Sequence, residues 1–493
     1  MSDYFTFELW FLRKPERLGH HGQGTTERSC ALMPESATGI VRIHRDVFCC
    51  EHAPDILEAG EEVVRVNRLV VTLILGCSFL LAGVAHAAGH MTLEDSIRMA
   101  IEKNPSVKVQ DQEVLGKDMD TRARFSRMLP TVDLSYGYMR LENAPSVAVP
   151  GMGEVTTGSK GNYETDIEAR QVLFAGGALY NSYKIAKNDY FAAELERQRV
   201  IRDLKLRVIG AYYGVIKARQ EREVAKSNVN SIKSHLDVAN AFFSQGMIPK
   251  NDLLEAQVSS AESEQNLISA EKAVRLAESN LNILLGRNLS EEVVIDTEIP
   301  FTALDITLDT SLETALTNRQ EIKTVKLQLD NADKGITIAR SAFMPNVAAT
   351  YAYQKQKGND PSTKYDTWKT GIGLTWNLFE GGGSYWNLNK ARYMSSQVGY
   401  LLEGLKDQVS LEVKDSYLSV EEARSRMVVA DTAIAQAEEY FRIVKDRYNL
   451  QVATTTDVLT AQTLLSRSKK NLISAQADYA RSLAALRAST GTL

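Results

Sequence analysis

The side chains best suited to chemistry here are four cysteines and seven histidines, and their positions keep them from acting together. The cysteines are Cys30, Cys49, Cys50 and Cys77, so no thiol follows residue 77, and beyond residue 86 only His90 and His235 remain. A thiolate nucleophile needs a base beside it, a zinc site needs several Cys or His ligands, and a hydroxyl triad needs a histidine. The main body has almost nothing with which to build any of these. No Gly-rich loop ending in Lys-Ser/Thr is present to cradle phosphates. The carboxylate pairs Glu291-Glu292 and Glu421-Glu422 are candidates for general acid–base work, but both stand in charged segments where solvation explains them. The chain is expected to be no enzyme and to need no cofactor or metal.

The remaining carboxylates fall into two other patterns. Glu164, Asp166, Glu168 and Arg170 occupy alternate positions, so an extended segment would carry them on one face. Asp252 and Asp457 each follow a turn at the start of a helical run, where an acidic side chain suits the helix dipole.

What positions these residues is a chain of 493 residues with 44% hydrophobic and 24% charged residues and a net charge of −5. That balance excludes a disordered acidic tail and a polytopic helical membrane protein, and it argues against nucleic acid as a general partner. With only 11 prolines, long uninterrupted helices are allowed.

Residues 65–87 have the form of a secretory signal: Arg65 and Arg68, an apolar run from Leu69 to Val84, then Ala85-His86-Ala87 before Ala88. A single membrane-anchoring helix is the alternative, since the run is almost long enough to span a bilayer. Cys77 after Leu75-Gly76 faintly matches a lipoprotein cleavage box but sits inside the apolar run. Residues 1–64 show neither helical nor strand periodicity and are expected to be a misassigned start, with Val63, Val64 or Val66 as the true first residue.

The rest of the chain is one pattern written twice. Leu173-Phe174-Ala175-Gly176-Gly177 and Leu378-Phe379-Glu380-Gly381-Gly382 align at an offset of 205, with about 26 identities over about 116 pairs where roughly one in sixteen is expected by chance. The first copy is assigned residues 88–300 and the second 301–493. Each opens with helical patterning (Thr92 to Met128; Ser311 to Met344) stopped by Pro130 or Pro345. Two alternating segments follow in each, at about 131–143 and 162–174, then about 346–356 and 366–379. Val132, Leu134, Tyr136 and Tyr138 alternate with Asp133, Ser135 and Gly137; Tyr163, Ile167, Ala169 and Leu173 alternate with the charged series. One explanation is a soluble antiparallel sheet lying on a helix. The segment length of about ten residues, with Tyr or Trp near the ends of the apolar face, favours outer-membrane strands. Four strands cannot close a barrel and open edges are excluded from lipid, so three chains pooling twelve strands give the simplest closure.

Each strand pair leads into a helical hairpin, 178–286 and 383–491. Leu204, Val208, Ala211, Val215 and Ala218, then Ala225, Val229, Ile232, Leu236, Ala239 and Phe243, keep a four-and-three spacing that only Arg222 interrupts. Val409 to Tyr448 repeats it, so each hairpin is expected to be a coiled coil about 100 Å long.

In this order and duplication the motifs resemble the TolC-type outer-membrane efflux proteins. The residues that carry the resemblance are Leu-Phe-x-Gly-Gly at 173–177 and 378–382, the Pro130 and Pro345 junctions, and Arg447-Tyr448-Asn449 to Asp457-Val458-Leu459 with Ala461-Gln462. The terminal Gly491-Thr492-Leu493 agrees. The resemblance covers about residues 91–493 and implies an α+β membrane protein: a trimeric 12-stranded β-barrel in the outer membrane continuing into an α-helical tunnel across the periplasm. It implies a passive export duct opened by a periplasmic adaptor and an inner-membrane transporter of RND or ABC type. Asp457 would then narrow the aperture as an acidic ring, and Asp252 and Tyr448 would hold hairpins together in the closed state. The family's arginine partner falls at Ala453 and its second ring aspartate at Thr460, which puts the closed-state salt bridge and the double acidic ring in question, with Lys250 or the Asp252/Glu255 pair as the candidates to compensate. Glu164, Asp166, Glu168 and Arg170 would line the barrel. Gly246, Met247 and Ile248, with Leu450, Gln451 and Val452, would meet the adaptor, although these apolar tips could equally be buried between neighbouring hairpins. The competing reading is a non-conducting periplasmic coiled-coil adaptor or envelope spacer, which would share the hairpins but not the paired strands.

Overall fold

The computed structural model describes residues 90–358 and 364–493. The extension at 1–64, the signal segment at 65–87 and all four cysteines lie outside the described residues. Fourteen elements follow: α1 (Leu93–Lys103), α2 (Pro105–Ser126), β1 (Thr131–Arg140), β2 (Ser146–Val149), β3 (Gly153–Thr156), β4 (Gly161–Ala175), α3 (Ala178–Ser244), α4 (Lys250–Leu284), α5 (Leu308–Asn318), α6 (Gln320–Ser341), β5 (Asn346–Gly358), β6 (Lys364–Thr375), α7 (Gly383–Asn449) and α8 (Thr455–Ser489). Helices α3 and α7 are each 67 residues long, and α4 and α8 are each 35.

The helical patterning from Thr92 to Met128 resolves into two helices, α1 and α2. Asn104 turns the chain with an extended backbone, its Oδ1 accepts from Ser106 N at 3.0 Å, and Pro105 takes the first helical position, where its missing N–H costs nothing. The second copy breaks likewise at Arg319, between α5 and α6. Both breaks serve the same purpose. Asn104 Nδ2 donates to Leu284 O at 2.9 Å, and Arg319 donates from a guanidinium nitrogen to Ser489 O at 3.1 Å. Each satisfies a carbonyl at the C-terminal end of a return helix, which would otherwise be left without a partner.

The heptad series is the packing seam. Leu204, Val208, Val215, Tyr212 and Ile216 of α3 are buried with Leu281 of α4, and Val409, Val413, Val420 and Ala423 of α7 with Leu486 of α8. Alanines at Ala211, Ala218, Ala225 and Ala239 let the axes approach closely. No described helix is long and apolar enough to cross a membrane.

The strands β1, β4, β5 and β6 form one antiparallel sheet in the order β1-β4-β5-β6. The small hairpin β2–β3 was not anticipated; its signal was Pro150-Gly151 between two short apolar runs, with Gly151 and Gly153 both at positive φ. Two details of the alternation change. A bulge between Val172 and Phe174 makes Leu173 the extra residue, so Phe174, opposite Val347, takes the face expected of Leu173. The last strand stops at Thr375 rather than 379. Residues 171–175 of β4 pair only with β5, and their counterparts after Thr375 have no strand beside them on that side among the described residues.

Gly176 sits at the sheet–helix junction with φ +58, and a Cβ there would lie 2.7 Å from Ser341 Cβ and 2.9 Å from its Cα. Gly176→Ala therefore adds backbone strain to a clash with main chain and is expected to cost about 2–3 kcal/mol in thermal unfolding followed by circular dichroism.

Candidate functional site

The sheet register sorts its side chains onto two faces. Across the four strands run the rows Asp133–Glu168–Ala352–Lys369, Ser135–Asp166–Gln354–Thr367 and Gly137–Glu164–Gln356–Tyr365. Arg170 stands in the next row, opposite Thr131 and Thr350. Glu164, Asp166, Glu168 and Arg170 thus share one face. Asp133 directly opposes Glu168, a like-charge pair that costs stability in an isolated strand pair. The opposite face carries Val132, Leu134, Tyr136, Ile167, Tyr351, Trp368, Ile372 and Leu374, and these stay exposed: Leu134 70%, Trp368 64% and Ile372 74%. Tyr138 and Tyr163 pack at 4.7 Å, and Tyr351 and Trp368 stack at 6.5 Å, so aromatic rings lie side by side on that face. A sheet with an exposed apolar face and a charged one suits lipid on one side and water on the other.

The second candidate region is where the two hairpins turn. After α3, Gly246 (φ +73) lets Gly246 N donate to Phe243 O and Met247 N to Phe242 O, closing the helix end with a pair of turn hydrogen bonds. After α7 the same pair is made by Gln451 N to Tyr448 O and Val452 N to Arg447 O, with Gln451 at φ +59 in place of a glycine. The two turns meet: Gln451 Nε2 lies 2.9 Å from Met247 Sδ. Met247, Leu450 and Val452 are exposed, whereas Ile248 packs beside Ala239, Leu253 and Ala256.

Asp457 stands at the third position of α8 and closes a capping box: its Oδ2 accepts from Thr454 N and from the Thr454 hydroxyl, each at 2.8 Å. Those two hydrogen bonds hold its carboxyl below the ordinary range, with Arg447 adding a smaller effect, so it is ionised at neutral pH and exposed. Thr456 donates to both carboxylate oxygens of Glu255, at 3.1 and 3.0 Å, and so ties the start of α8 to α4. Asp252 is half-buried and accepts from Asn251 Nδ2 at 2.7 Å.

Tyr448 is buried at 3% exposure, its hydroxyl 3.3 Å from Thr455 Oγ1 and its ring against His235 at 4.7 Å and Phe242 at 5.6 Å. It therefore joins α7 to α3, the two hairpins of one chain, and no hydrogen bond links it to Asp252 among the described residues. Two tip residues, His235 and Gln462, were given no role by the sequence. His235 showed no spacing to single it out, and Glu255, expected beside Asp252 as a compensating pair, is instead engaged by Thr456. Gln462, which accepts from Ser231 and donates to Asn228, was quoted only as part of a motif. No group of three or more metal-ligating side chains occurs among the described residues.

The family model "Outer membrane efflux protein" matches residues 96–287 and again 311–492. Among curated relatives, the outer membrane protein TolC of Vibrio cholerae is 23% identical over 433 residues, covering 85% of this chain and 95% of that one. The alkaline protease secretion protein AprF of Pseudomonas aeruginosa is 22% identical over 445 residues, covering 87% and 89%. The solved CmeC outer membrane channel of Campylobacter jejuni superimposes with a TM-score of 0.72 at 17% identity over 81% of this chain and 85% of its own. VceC of Vibrio cholerae does so at 0.71 and 19% identity over 81% and 96%. With about three quarters of its length matched by that model in two successive segments, this chain belongs to the outer membrane efflux protein family, whose members are transport channels and not enzymes.

Proposed function

We propose that three copies of this chain close into one passive duct, twelve strands in the outer membrane continuing into a helical tunnel in the periplasm. The observation that carries the reading is the four-stranded sheet, with its exposed apolar face, its charged face and its two edges, β1 and β6. Lipid tolerates no open edge, so β6 of one copy must meet β1 of the next. The repeat supplies the register. Residues of β4 correspond to β6 at an offset of 205 (Leu173 to Leu378) and residues of β5 to β1 at 215 (Pro345 to Pro130). Carrying over Arg170 opposite Thr350 puts Thr375 opposite Ser135 of a neighbouring copy, on the charged face. Residues 376–379, left without a partner strand in one chain, would gain one there.

In this reading the copies at 88–300 and 301–493 are the two half-domains. Glu164, Asp166, Glu168 and Arg170 line the barrel, and Asp457 faces the aperture at the tip. Asp252 and Tyr448 steady the hairpins. The turns at Gly246, Met247, Ile248, Leu450, Gln451 and Val452 receive a periplasmic adaptor, and an inner-membrane transporter of RND or ABC type supplies the energy. An arginine absent at Ala453 and an aspartate absent at Thr460 leave the closed state to other contacts, of which Glu255–Thr456 is one.

Purified channel in a planar bilayer is expected to conduct, and a trivalent cation added from the helical side is expected to block it. Three ionised Asp457 carboxylates around one axis would focus such a cation. Asp457→Asn should weaken block about 10-fold or more, since each lost charge near a shared site is worth at least about 1 kcal/mol. Conductance with unaltered block in the variant would move the aperture elsewhere. No conductance from folded trimers would favour the spacer reading.

A further inference from the structure

His235 stands on α3 about three turns from the tip, 9% exposed, and its Nε2 is buried without a hydrogen-bond partner among the described residues. A buried ring nitrogen left unsatisfied is costly, and a leucine or phenylalanine would fill the same seam position without that cost. The imidazole packs on the Tyr448 ring at 4.7 Å, so it lies on the contact between the first hairpin and the second. Beside it is a cavity of about 140 Å³ between α3, α7 and α8. The lining from α7 includes Phe441, Lys445, Tyr448 and Asn449; that from α8 is Val458, Leu459 and Gln462; α3 adds Ser231 and Ser234. Lys445 is the one charged residue among them, and no carboxylate is present to receive a protonated imidazole.

We propose that His235 is an acid-sensitive latch between the two hairpins of each chain: uncharged it packs against Tyr448, and on protonation it leaves the seam and lets α3 part from α7 near the tip. The pairing of cause and effect is electrostatic. Burial, and then the Lys445 ammonium, push the imidazole from its ordinary 6.5 down to about 4. The sign follows: above pH 6.5 both packed and parted forms are neutral and acid exerts no pull. Between pH 6.5 and 4 the parted form takes up the proton first, and the packed form loses ground about 10-fold per pH unit, levelling at about 300-fold below pH 4. The latch needs only the packing within one chain and stands whether or not the assembled protein conducts.

The test places spin labels on full-length protein whose four native cysteines are replaced by serine, at two exposed positions near this level, Asn240→Cys on α3 and Asp446→Cys on α7, and measures their distance distribution from pH 7.5 to 4. Widening or broadening that sets in below pH 6.5 is expected. His235→Phe, which keeps a ring on Tyr448 but cannot take a proton, should abolish it. Lys445→Gln, which leaves the imidazole in place and removes the neighbouring cation, should leave the onset where it is but shrink the acid response and make it level off at higher pH, because the packed form then takes the proton more readily. A distribution unchanged down to pH 4 in the parent overturns the latch. So does the same broadening in His235→Phe, which would assign the acid response to tip carboxylates such as Glu255.

Discussion

Protein with its four native cysteines replaced by serine and carrying Ser135→Cys and Thr375→Cys will run as a covalent trimer on a denaturing gel under oxidising conditions and as a monomer once reduced. The two positions lie on opposite edge strands of one chain's sheet, so no disulfide can join them within a copy. If β6 meets β1 of a neighbour in the register that β4 uses with β5, directly opposed residues bring their Cα atoms about 4.5–5.5 Å apart, within the span of a disulfide. Three such bonds close a ring and then stop. Either single variant should stay monomeric. A ladder running past the trimer would mean an open assembly, and a dimer alone would mean a two-fold contact. The same symmetry extends to glycines. Gly381 corresponds to Gly176, yet a Cβ at Gly381 meets nothing within 4 Å in its own chain. In the proposed trimer its counterpart contact would be Ser126 of the neighbouring copy, so Gly381→Ala is expected to weaken that trimer while leaving the chain folded, and Gly176→Ala to weaken the chain itself.

The second large effect is expected at Arg319. The residue is 5% exposed, and its guanidinium donates to both Glu412 oxygens at 2.9 Å, to Glu321 at 3.0 Å and to Ser489 O at 3.1 Å. Arg202, equally buried, holds the other side of Glu321 at 2.8 Å. One residue thereby fastens the α5–α6 junction to α7 and to the end of α8. Arg319→Ala leaves Glu321 with a single cation and Ser489 O without its donor, and is expected to cost about 3 kcal/mol in chemical unfolding. Glu412→Gln should cost under about 1 kcal/mol, because Glu412 is half exposed and water replaces its partner. A loss below 1 kcal/mol in Arg319→Ala would show that Arg202 alone is sufficient. Acid acts on the same cluster. Burial raises the Glu321 carboxyl, but the Arg202 hydrogen bonds and the two guanidinium charges more than offset this and leave it below its ordinary value. Its contribution is therefore complete above the usual carboxylate range and is lost as pH falls through that lowered value.

Much of this molecule was open to reading from its residues because most of its signals are periodic. A period of two separated Val132, Leu134 and Tyr136 from Asp133 and Ser135, and the four-and-three series from Leu204 to Ala239 named most of the buried seam, though not Tyr212, Ile216 or His235. The duplication set the order of the elements, and the lack of any thiol after Cys77 and of clustered histidines argued against thiol, zinc or histidine-triad chemistry in the main body. What the sequence could not determine depends on contacts between segments far apart in the chain. The bulge at Leu173, the end of β6 at Thr375 and the burial of Tyr448 against His235 each depend on which strand or helix lies alongside. So do the Thr456–Glu255 tie and the Arg319 cluster, whose hydrogen-bonded pairs lie up to 201 residues apart in the chain. Periodicity states which face of an element is apolar; only the packed fold decides what that face, and each charge beside it, will meet.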